Sequence, residues 1–399
     1  MSDSTTTDQS TTDQSTTDQS TTDPSQARKR LLFLFSDTGG AHRSVASAIA
    51  EAVEAEYPGR FSCQLVDYLR EYCPWPFSKA PEIFSKLAAH PASWAVPFNL
   101  ANSALVSRML VSLCYLYVQR GLKRLMADNP SDLVVSTHPL VNRASVRAMG
   151  RRRVPFVTMC TDIITAHAMW FHEDTDLIIV PTQEAARLGV KYGARADHIR
   201  VIGLPVSGKF SRHLDDPTRW REQHGWDPSL PAALLIGGGD GFGPVEEMAR
   251  AINDARLPLQ LVVVCGRNER LKAGVEAIDW RIPAHIYGFT TELPAMMSAA
   301  DALLTKAGAV TISEGLVSGL PLIVYSKLPG QEEGNIPYVE QAGAGVWAPK
   351  PDQVVATLRK WLDDPSALQA AAEASLALAK PDAARDIARE LAALVGVTD

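Results

Sequence analysis

The chain has 399 residues, more than a single ordinary core requires, and therefore predicts two domains. Its 46% hydrophobic and 21% charged residues are typical of a globular protein and exclude a wholly disordered or fibrous one. Its 39 Lys and Arg against 45 Asp and Glu give a net charge of −6, so no basic surplus indicates nucleic-acid binding.

A polar repeat opens the chain and predicts a disordered tail. Residues 5–24 repeat Thr-Thr-Asp-Gln-Ser almost perfectly and contain no aliphatic or aromatic side chain. Such a segment buries nothing that would offset the entropy lost on ordering, so residues 1–28 are expected to be disordered. The segment also lacks the basic start and apolar stretch of a secretory signal.

The cysteines and the apolar runs indicate the compartment. The five cysteines include no Cys-x-x-Cys pair, so they predict neither a disulfide framework nor a zinc site and favour a reducing cytosol. The longest apolar candidate, 109–118, is flanked by Arg108 and Arg120 and is shorter than a membrane span. We therefore expect no membrane-spanning helix.

Short strand-like runs alternate with helical patterns, which predicts parallel sheets covered by helices on both faces. The predicted strands lie at 31–35, 133–136, 155–159, 177–180, 200–202, 233–236, 259–264, 284–287, 302–305 and 321–324. A break after Pro205 leads through a polar stretch to the next strand. The sequence thus predicts an α/β fold of two doubly wound Rossmann-like domains, 29–206 and 207–384. A C-terminal helical segment, 385–399, is expected to pack back on the first domain.

Two glycine loops follow predicted strands and face the expected cleft between the domains. In the first, at 36–43, Gly40 lets a ligand approach the backbone, and His42 stands where a helix begins. The ordinary pKa of histidine suits a general base. The second, at 236–243, contains Gly238 and Gly239 and suits a phosphate or sugar, although it is not the dinucleotide fingerprint. Each pattern alone also fits an ordinary strand-to-helix turn.

A third element, at 305–315, runs from a strand end through a small-residue turn into a helix and suits a diphosphate. Gly308 precedes the free amides of Val310 and Thr311 at the positive end of that helix. Glu314 lies about one turn further on, where it can accept hydrogen bonds from ribose hydroxyls. A polar loop at 329–335 carries amide and carboxylate groups suited to sugar hydroxyls. Taken singly, Glu314 also fits a helix-terminal charge and the polar loop a solvated turn.

Together these motifs resemble the monogalactosyldiacylglycerol synthase family of GT-B glycosyltransferases. The resemblance rests on Ser-Asp-Thr-Gly-Gly-Ala-His-Arg at 36–43, Thr-Asp at 161–162, Trp-Phe-His at 170–172, Pro-Thr at 181–182, Gly-Leu-Pro at 203–205, the glycines at 237–239, Cys-Gly-Arg-Asn at 265–268, Gly-Phe at 288–289, Lys-Ala-Gly at 306–308 and Pro-Gly-Gln-Glu-x-Gly-Asn at 329–335. It extends over about 31–350. The first loop of the family usually reads Gly-Gly-Gly-His, and here Ala41 replaces the third glycine.

The resemblance implies an inverting transfer of a hexose, expected to be galactose, from a UDP-sugar to the free hydroxyl of diacylglycerol. His42 is then the expected base, and Asp162 is the alternative base or the group that orients His42. The implied donor-site residues are Phe289 for uracil, Gly308, Val310 and Thr311 for the diphosphate, Glu314 for the ribose, Gln331, Glu332 and Asn335 for the hexose, and Gly40, Gly238, Gly239 and Arg267 around them. No metal or cofactor is expected, because GT-B enzymes stabilise the leaving UDP with helix dipoles and amides.

Residues 83–127 contain five bases and no acid, together with several aromatic residues, a composition typical of peripheral membrane proteins. The residues expected at the acceptor or an anionic membrane are Trp75, Phe77, Trp94, Phe98, Arg120, Lys123, Arg124 and Trp170. Within this region, 75–98 is predicted to touch the bilayer, and 109–118 to form a core helix. We expect a cytoplasmic protein attached to the inner face of the cell membrane.

Other functions remain compatible with the sequence. Galactose and glucose differ at one hydroxyl, so a UDP-glucose-dependent diacylglycerol glucosyltransferase is an alternative. A lipid-linked cell-wall N-acetylglucosaminyltransferase would keep the donor site and change the acceptor. A UDP-sugar epimerase would share the two domains, but it needs no lipid surface. A scaffold that binds lipid or nucleotide without catalysis is disfavoured by the retained His42, Glu314 and Gln331. The sequence leaves the oligomeric state open.

Overall fold

The computed structural model describes residues 28–88, 91–150, 153–212 and 214–398. The disordered tail was predicted over residues 1–28. Of these, residues 1–27 lie outside the described residues. The elements of the first half are β1 (Lys29–Phe35), α1 (Ala41–Glu56), β2 (Phe61–Asp67), α2 (Tyr68–Tyr72), α3 (Ala80–Ala88), α4 (Pro91–Ala101), α5 (Ala104–Asp128), β3 (Leu133–Ser136), α6 (Asn142–Met149), β4 (Phe156–Met159), β5 (Leu177–Val180), α7 (Gln183–Lys191) and β6 (Ile199–Val201).

The second half repeats the same alternation of strands and helices. Its elements are α8 (Pro217–Gln223), β7 (Ala232–Ile236), α9 (Val245–Ala255), β8 (Gln260–Val264), α10 (Glu269–Glu276), β9 (Ala284–Tyr287), α11 (Leu293–Ser298), β10 (Ala302–Lys306), α12 (Ala309–Val317), β11 (Leu322–Ser326), α13 (Asn335–Gln341), β12 (Gly345–Trp347), α14 (Pro351–Asp363), α15 (Pro365–Leu378) and α16 (Ala383–Leu394).

Each half forms a six-stranded parallel sheet. The strand order is β2-β1-β3-β4-β5-β6 in the first sheet and β12-β11-β10-β7-β8-β9 in the second. In both sheets the order reverses direction beside the first strand of the half, β1 or β7, so the loops after these strands open at a switch point where ligands bind. The predicted fold of two doubly wound domains is confirmed.

Continuous apolar strands explain why both faces of each sheet are covered. In β1, Leu31 and Phe33 point into a core shared with α1 and α16. Leu32 and Leu34 point into the opposite core, under α5. Successive side chains of a strand alternate between faces, so an unbroken apolar run requires a helix layer on each side.

The C-terminal helix joins the two halves. Helix α16 packs along α1, and Arg389 pairs with Glu56 at 2.9 Å. The helix begins at Ala383, inside the range assigned from sequence to the second domain. A single apolar core runs from Leu31 in β1 to Leu234 in β7, so the two halves bury surface against each other.

Candidate active site

The loop after β1 turns sharply through two glycines and begins α1. Gly39 and Gly40 adopt φ angles of 86° and 77°, a left-handed conformation that favours glycine. Helix α1 starts at Ala41, so His42 lies in the first helical turn, beside the carboxyl ends of β1 and β3. The same turn is pinned by Arg43, whose guanidinium donates to both carboxylate oxygens of Asp37 at 2.8 and 2.6 Å.

His42 is held in one orientation by a backbone oxygen. Its Nδ1 donates to the carbonyl of Thr137 at 2.6 Å, and the Thr161 hydroxyl lies 3.3 Å from the same nitrogen. Because a neutral imidazole carries one N–H, this bond leaves the lone pair on Nε2. Burial lowers the pKa of His42 to about 4, so the ring is neutral at physiological pH. The pKa of His42 thus lies below the ordinary histidine range on which the choice of this base from the sequence depended.

The Asp162 side chain contacts Trp170 and the second domain rather than His42, which is held by Thr137. The Asp162 carboxylate accepts hydrogen bonds from Trp170 Nε1 at 2.7 Å, from the His167 amide at 3.4 Å and from Gln331 Nε2 at 3.1 Å. Burial raises the pKa of this carboxyl, and the bond from Gln331 opposes the increase. The expectation that Asp162 orients His42 is corrected by these contacts, whereas its role as an alternative base stays a prediction.

Trp170 forms a wall of the site. Only 1% of the residue is exposed, and its ring centroid lies 6.0 Å from that of His42. The expectation that it contacts a membrane is wrong, because a short helical turn at Ala168–Trp170 places the indole inside the domain. Its position beside His42 is compatible with contact to the acceptor.

In the second domain, Arg267 links two predicted donor loops. Its guanidinium lies 4.7 Å from the centroid of the Phe289 ring and donates to Asp240 at 3.1 Å. Its backbone amide donates to the carbonyl of Gly239 at 2.9 Å. Phe289 itself is 59% exposed, so one face of its ring is available to a planar base. Gly238 has a φ of 77°, which permits the tight turn that brings the loop beside Lys306.

Helix α12 directs its amino terminus at the same cleft. Gly308 precedes the helix in an extended conformation, and no side chain caps it, so the first amides, including those of Val310 and Thr311, remain available to an anion. Glu314 lies one turn along and is buried. Burial raises its pKa to about 8, and among the described residues no hydrogen bond to its carboxyl is found. A desolvated carboxyl with no partner among the described residues is placed to accept hydrogen bonds from a ligand.

The polar loop before α13 is anchored to the same strand end. Glu332 is buried, pairs with Lys306 and accepts the Leu328 amide at 2.7 Å. Asn335 donates through Nδ2 to the carbonyl of Ala307 at 2.8 Å. Within the described residues, two buried oxygens, Gln331 Oε1 and Asn335 Oδ1, accept no hydrogen bond. Such orphaned acceptors are expected where a ligand supplies the missing donors.

The polar loop also touches the first domain. The Gly334 amide donates to the Thr165 hydroxyl at 3.1 Å, and a Cβ at Gly334 would lie 2.5 Å from Ile164. Gly330, at φ 83°, lies against Phe98 of α4. Glycines at these two positions therefore allow the donor loop to approach the domain that carries His42, and the structure brings the predicted residues of both domains to one cleft.

The predicted membrane residues divide into buried and exposed groups. Phe98 is buried against His167, so the expectation that it contacts a bilayer is wrong. Trp94 is half-buried between Phe84 and Phe98, and its contact with a bilayer stays a prediction. Phe77 is partly covered by Tyr117, whereas Trp75 is 72% exposed. The bases Arg120, Lys123 and Arg124 are exposed on α5, and Arg124 pairs with Asp128 at 3.2 Å.

Helix α5 packs one face on the core of the first domain through Tyr115 and Val118, so the core helix predicted over 109–118 is confirmed for that face alone. It exposes a row of large apolar side chains, namely Leu105, Met109, Leu113 and Leu116, each at least 58% exposed. Their spacing of three or four residues places them on one face. No helix within the described ranges is long and apolar enough to cross a membrane.

Three further side chains near His42 were missed from the sequence. His138 follows β3 and hydrogen-bonds to Tyr68 and Thr38, and its ring centroid lies 4.5 Å from that of His42. The sequence signal that could have found His138 is its position, because polar residues directly after a buried parallel strand lie at the ligand-binding edge of the sheet.

In the part of the chain that the structure describes, no group of three or more His, Cys, Asp or Glu residues could hold a metal ion.

Comparison with known proteins identifies the family. The model of monogalactosyldiacylglycerol synthase matches residues 42–206, and that of the glycosyltransferase family 28 C-terminal domain matches residues 233–387. The chloroplastic monogalactosyldiacylglycerol synthase of Spinacia oleracea is 34% identical over 383 residues, which cover 93% of this chain and 73% of that protein. A probable chloroplastic monogalactosyldiacylglycerol synthase 2 of Oryza sativa subsp. japonica is 36% identical over 378 residues, covering 92% and 80%.

Solved structures share the two-domain architecture. A putative UDP-N-acetylglucosamine 2-epimerase from Listeria monocytogenes aligns with a TM-score of 0.62 at 16% identity, covering 94% of this chain and 98% of that one. MurG of Acinetobacter baumannii aligns with a TM-score of 0.57 at 16% identity, covering 90% and 98%. At this identity the likeness shows the fold alone, and the predicted GT-B fold is confirmed. On the strength of its sequence relatives, the chain belongs to the monogalactosyldiacylglycerol synthase family.

Proposed function

We propose that this protein transfers galactose from UDP-galactose to the free hydroxyl of diacylglycerol, with inversion at the anomeric carbon. The observation that carries the proposal is His42, which stands in the cleft of a chain related to monogalactosyldiacylglycerol synthases with Nδ1 fixed by Thr137. A hydroxyl is a weak nucleophile at neutral pH, and removal of its proton during attack contributes about 10²–10⁴-fold to such reactions.

His42 is the base in this mechanism. The acceptor oxygen forms a bond to C1 of galactose as the bond between C1 and the diphosphate oxygen breaks, and the hydroxyl proton passes to Nε2. With a pKa of about 4, the ring is entirely in its accepting form at neutral pH. The Thr137 carbonyl accepts from Nδ1 throughout, and it stabilises the imidazolium that forms.

The second domain holds the donor. The amides at the start of α12 and the positive end of its dipole stabilise the diphosphate, and they stabilise more charge as UDP leaves. Glu314 accepts from the ribose, Phe289 stacks on uracil, and the orphaned oxygens of Gln331 and Asn335 accept from galactose hydroxyls. The proposed scheme includes no metal or cofactor.

A small apolar cavity lies between α5 and the segments that follow β3 and precede Trp170, and we propose that it takes part of an acyl chain of the acceptor. Its wall consists of Leu69, Phe77, Leu110, Cys114, Val118, Leu140, Ala144 and Met169. Leu140 follows His138 by two residues, and Met169 directly precedes Trp170, so the inner wall belongs to the segments that line the site. Leu110 lies on α5 and is partly exposed. Part of an acyl chain in this cavity would bring the glycerol hydroxyl toward His42.

The exposed face of α5 binds the membrane that supplies diacylglycerol. The apolar row from Leu105 to Leu116 continues along the same helix face to Arg120 and Lys123. An exposed apolar row beside bases suits insertion between lipids and attraction to anionic headgroups. We therefore also propose that the protein is cytoplasmic and attached to the inner face of the cell membrane, as expected from the sequence.

The test of catalysis combines product analysis with a matched histidine control. Purified protein is incubated with diacylglycerol and either UDP-galactose or UDP-glucose, and the glycolipid is identified. His42→Ala should lower turnover by about 10²-fold or more and leave UDP affinity unchanged. His198→Ala is the control, because His198 makes a similar Nδ1 bond, 2.8 Å to the Thr175 carbonyl, at the outer edge of the first sheet. Glucose transfer alone would replace galactose in the proposal, and His42→Ala activity above about a tenth of wild type would exclude this base.

The membrane surface has its own test. Leu113→Glu with Leu116→Glu should reduce co-sedimentation with liposomes, since charges oppose insertion of the apolar row. Leu376→Glu is the control, because Leu376 is a comparably exposed leucine on α15 of the other domain. Equal binding of both variants to neutral and anionic vesicles would exclude α5 as the membrane surface.

A further inference from the structure

His138 is a buried histidine that uses both ring nitrogens. It follows β3 and is 3% exposed. The Tyr68 hydroxyl lies 2.7 Å from Nδ1, and the Thr38 hydroxyl lies 3.0 Å from Nε2. Burial holds the pKa of His138 well below its usual value, and the neighbouring His42 acts in the same direction. The ring is therefore neutral over the pH range in which the protein works.

The direction of each hydrogen bond follows from a third contact. The Leu140 amide, which can only donate, points at Nδ1 from 3.4 Å, so Nδ1 is the unprotonated nitrogen. Tyr68 then donates to Nδ1, and Nε2–H donates to the oxygen of Thr38. Because Thr38 accepts in this bond, its own hydroxyl proton is free for another acceptor.

Thr38 lies in the glycine loop four residues before His42. It is followed by Gly39 and Gly40, whose left-handed conformations turn the loop toward the cleft. The Asp37–Arg43 pair fixes one side of the loop, and His138 fixes the other. The free proton of Thr38 is thus held close to the base that receives the acceptor hydroxyl.

We propose that Thr38 donates a hydrogen bond to an ester carbonyl oxygen of diacylglycerol and that Tyr68 and His138 position it. The proposal rests on the proposed function, because it concerns the acceptor of that reaction. Besides its hydroxyl, diacylglycerol offers only ester oxygens, which accept and never donate. Thr38 is a neutral donor in the domain of the base, whereas the diphosphate is held by α12 in the other domain. The contact orients the glycerol so that its hydroxyl faces Nε2 of His42.

The main experiment compares two acceptors. Thr38→Val preserves the shape of the side chain and removes the proton, and it should lower kcat/KM for diacylglycerol by about three- to tenfold. With a dialkylglycerol, whose ether links lack the carbonyls, wild type and Thr38→Val should have equal kcat/KM. UDP affinity, measured by calorimetry, should be the same in both proteins. An equal loss with both acceptors, or no loss with either, would overturn the proposal.

Two substitutions of His138 separate its two bonds. His138→Gln places an amide N–H near the position of Nε2 and preserves donation to Thr38. His138→Asn places an oxygen near the position of Nδ1 and preserves only the bond from Tyr68. We expect the Gln variant to retain more activity on diacylglycerol than the Asn variant, and Thr38→Val to add no further loss to His138→Asn. The opposite order would show that the ring only supports folding.

Two further measurements keep the outcomes distinct. Tyr68→Phe removes only a hydroxyl from a buried ring, and it should reproduce a small part of the Thr38→Val effect, with the same dependence on the acceptor carbonyl. It replaces the His138 variants if these do not fold. Absence of galactosyl transfer by the wild type would overturn the proposed function together with this inference. Wild-type activity with Thr38→Val unaffected would overturn the inference alone.

Discussion

Glu314 makes UDP affinity depend on pH. Burial raises the pKa of its carboxyl to about 8, so about one molecule in eleven is ionised at pH 7 and about three in four at pH 8.5. Ribose hydroxyls that donate to the ionised form favour it and lower the pKa in the complex. We therefore expect the affinity for UDP to rise about eightfold between pH 7 and pH 8.5, and to level off above that.

The assay is calorimetric titration with UDP at several values of pH from 7 upward, where the terminal phosphate is already ionised. Glu314→Gln is the matched variant, because the amide is neutral throughout. It should bind UDP more weakly at pH 8.5, and its affinity should not rise with pH. Any titration of UDP itself would appear in both proteins and can be subtracted. An equal pH dependence in both proteins, or none in the wild type, would refute this role of Glu314.

The same burial predicts the opposite effect on stability. In the unfolded chain the carboxyl ionises above its ordinary value of 4.5, whereas in the fold it stays protonated until about 8. The unfolded state thus binds fewer protons in this window, so Glu314 lowers stability as the pH rises from 4.5 to 8, by at most about 5 kcal/mol. Glu314→Gln should therefore raise Tm at pH 8 while it weakens UDP binding. Substitution of a residue with only a structural role would not raise Tm and weaken UDP binding at the same time.

Three other results are expected. Lys306→Ala should lower the stability of the second domain by up to about 3 kcal/mol, because it leaves Glu332 buried and unpaired, and adding Glu332→Gln should restore most of the lost Tm. Ala144→Phe should fill the apolar cavity and lower activity on long-chain diacylglycerol more than on a short-chain one; equal losses would exclude an acyl site there. At saturating donor, kcat should stay constant from pH 6 to pH 9. It should decline as the pH falls toward 4, because His42 then becomes protonated. A midpoint of this decline near pH 6.5 would contradict the effect of burial on the pKa of His42.

Two of the strands predicted with their full bounds, β3 and β5, are buried along their whole length. Each is an apolar run bounded by polar or turn residues, which is the signal of a buried strand. β9 also begins and ends as predicted, although it is a partly exposed edge strand that contains His285. β2 and β12 were missed, and both lie at sheet edges with one partner each. β2 mixes Ser62 and Gln64 with apolar residues, since an edge strand leaves part of its surface in solvent. β12 begins at Gly345 and exposes Val346, so its three residues show no apolar run.

The region predicted to bind the membrane shows why composition alone misplaces a surface. Trp94 and Phe98 are aromatic and precede a basic helix, which favoured membrane contact. In the fold Phe98 fills the space beside Gly330 of the other domain, and Trp94 packs against Phe98. Met109 and Leu113 fit a core helix equally well by period, since the period identifies an apolar face without showing what covers it. Only the tertiary structure shows that this face of α5 has no protein cover among the described residues.

Some features of the candidate site follow from local sequence, and others depend on contacts between distant residues. Loop glycines, the helix start at Gly308 and the position of His42 all follow from local sequence. The hydrogen bond to Thr137 and the burial that lowers the pKa of His42 join residues 95 positions apart, so no local pattern carries them. Asp162 was expected beside His42 because both follow strands of one sheet. The side chain instead turns to Trp170 and Gln331, which satisfy its buried oxygens.

Gln331 is expected to sense the sugar of the donor rather than the nucleotide. Its Nε2 donates to Asp162 across the cleft at 3.1 Å, and its buried Oε1 has no partner among the described residues. Gln331→Met keeps the length and removes both groups, so kcat/KM for UDP-galactose should fall by about tenfold, while the affinity for UDP stays within about twofold. Gln341→Met, at an exposed glutamine that ends α13, is the control and should change neither. An equal loss of UDP affinity in Gln331→Met would place this side chain at the nucleotide, because UDP carries no hexose with which Oε1 could pair.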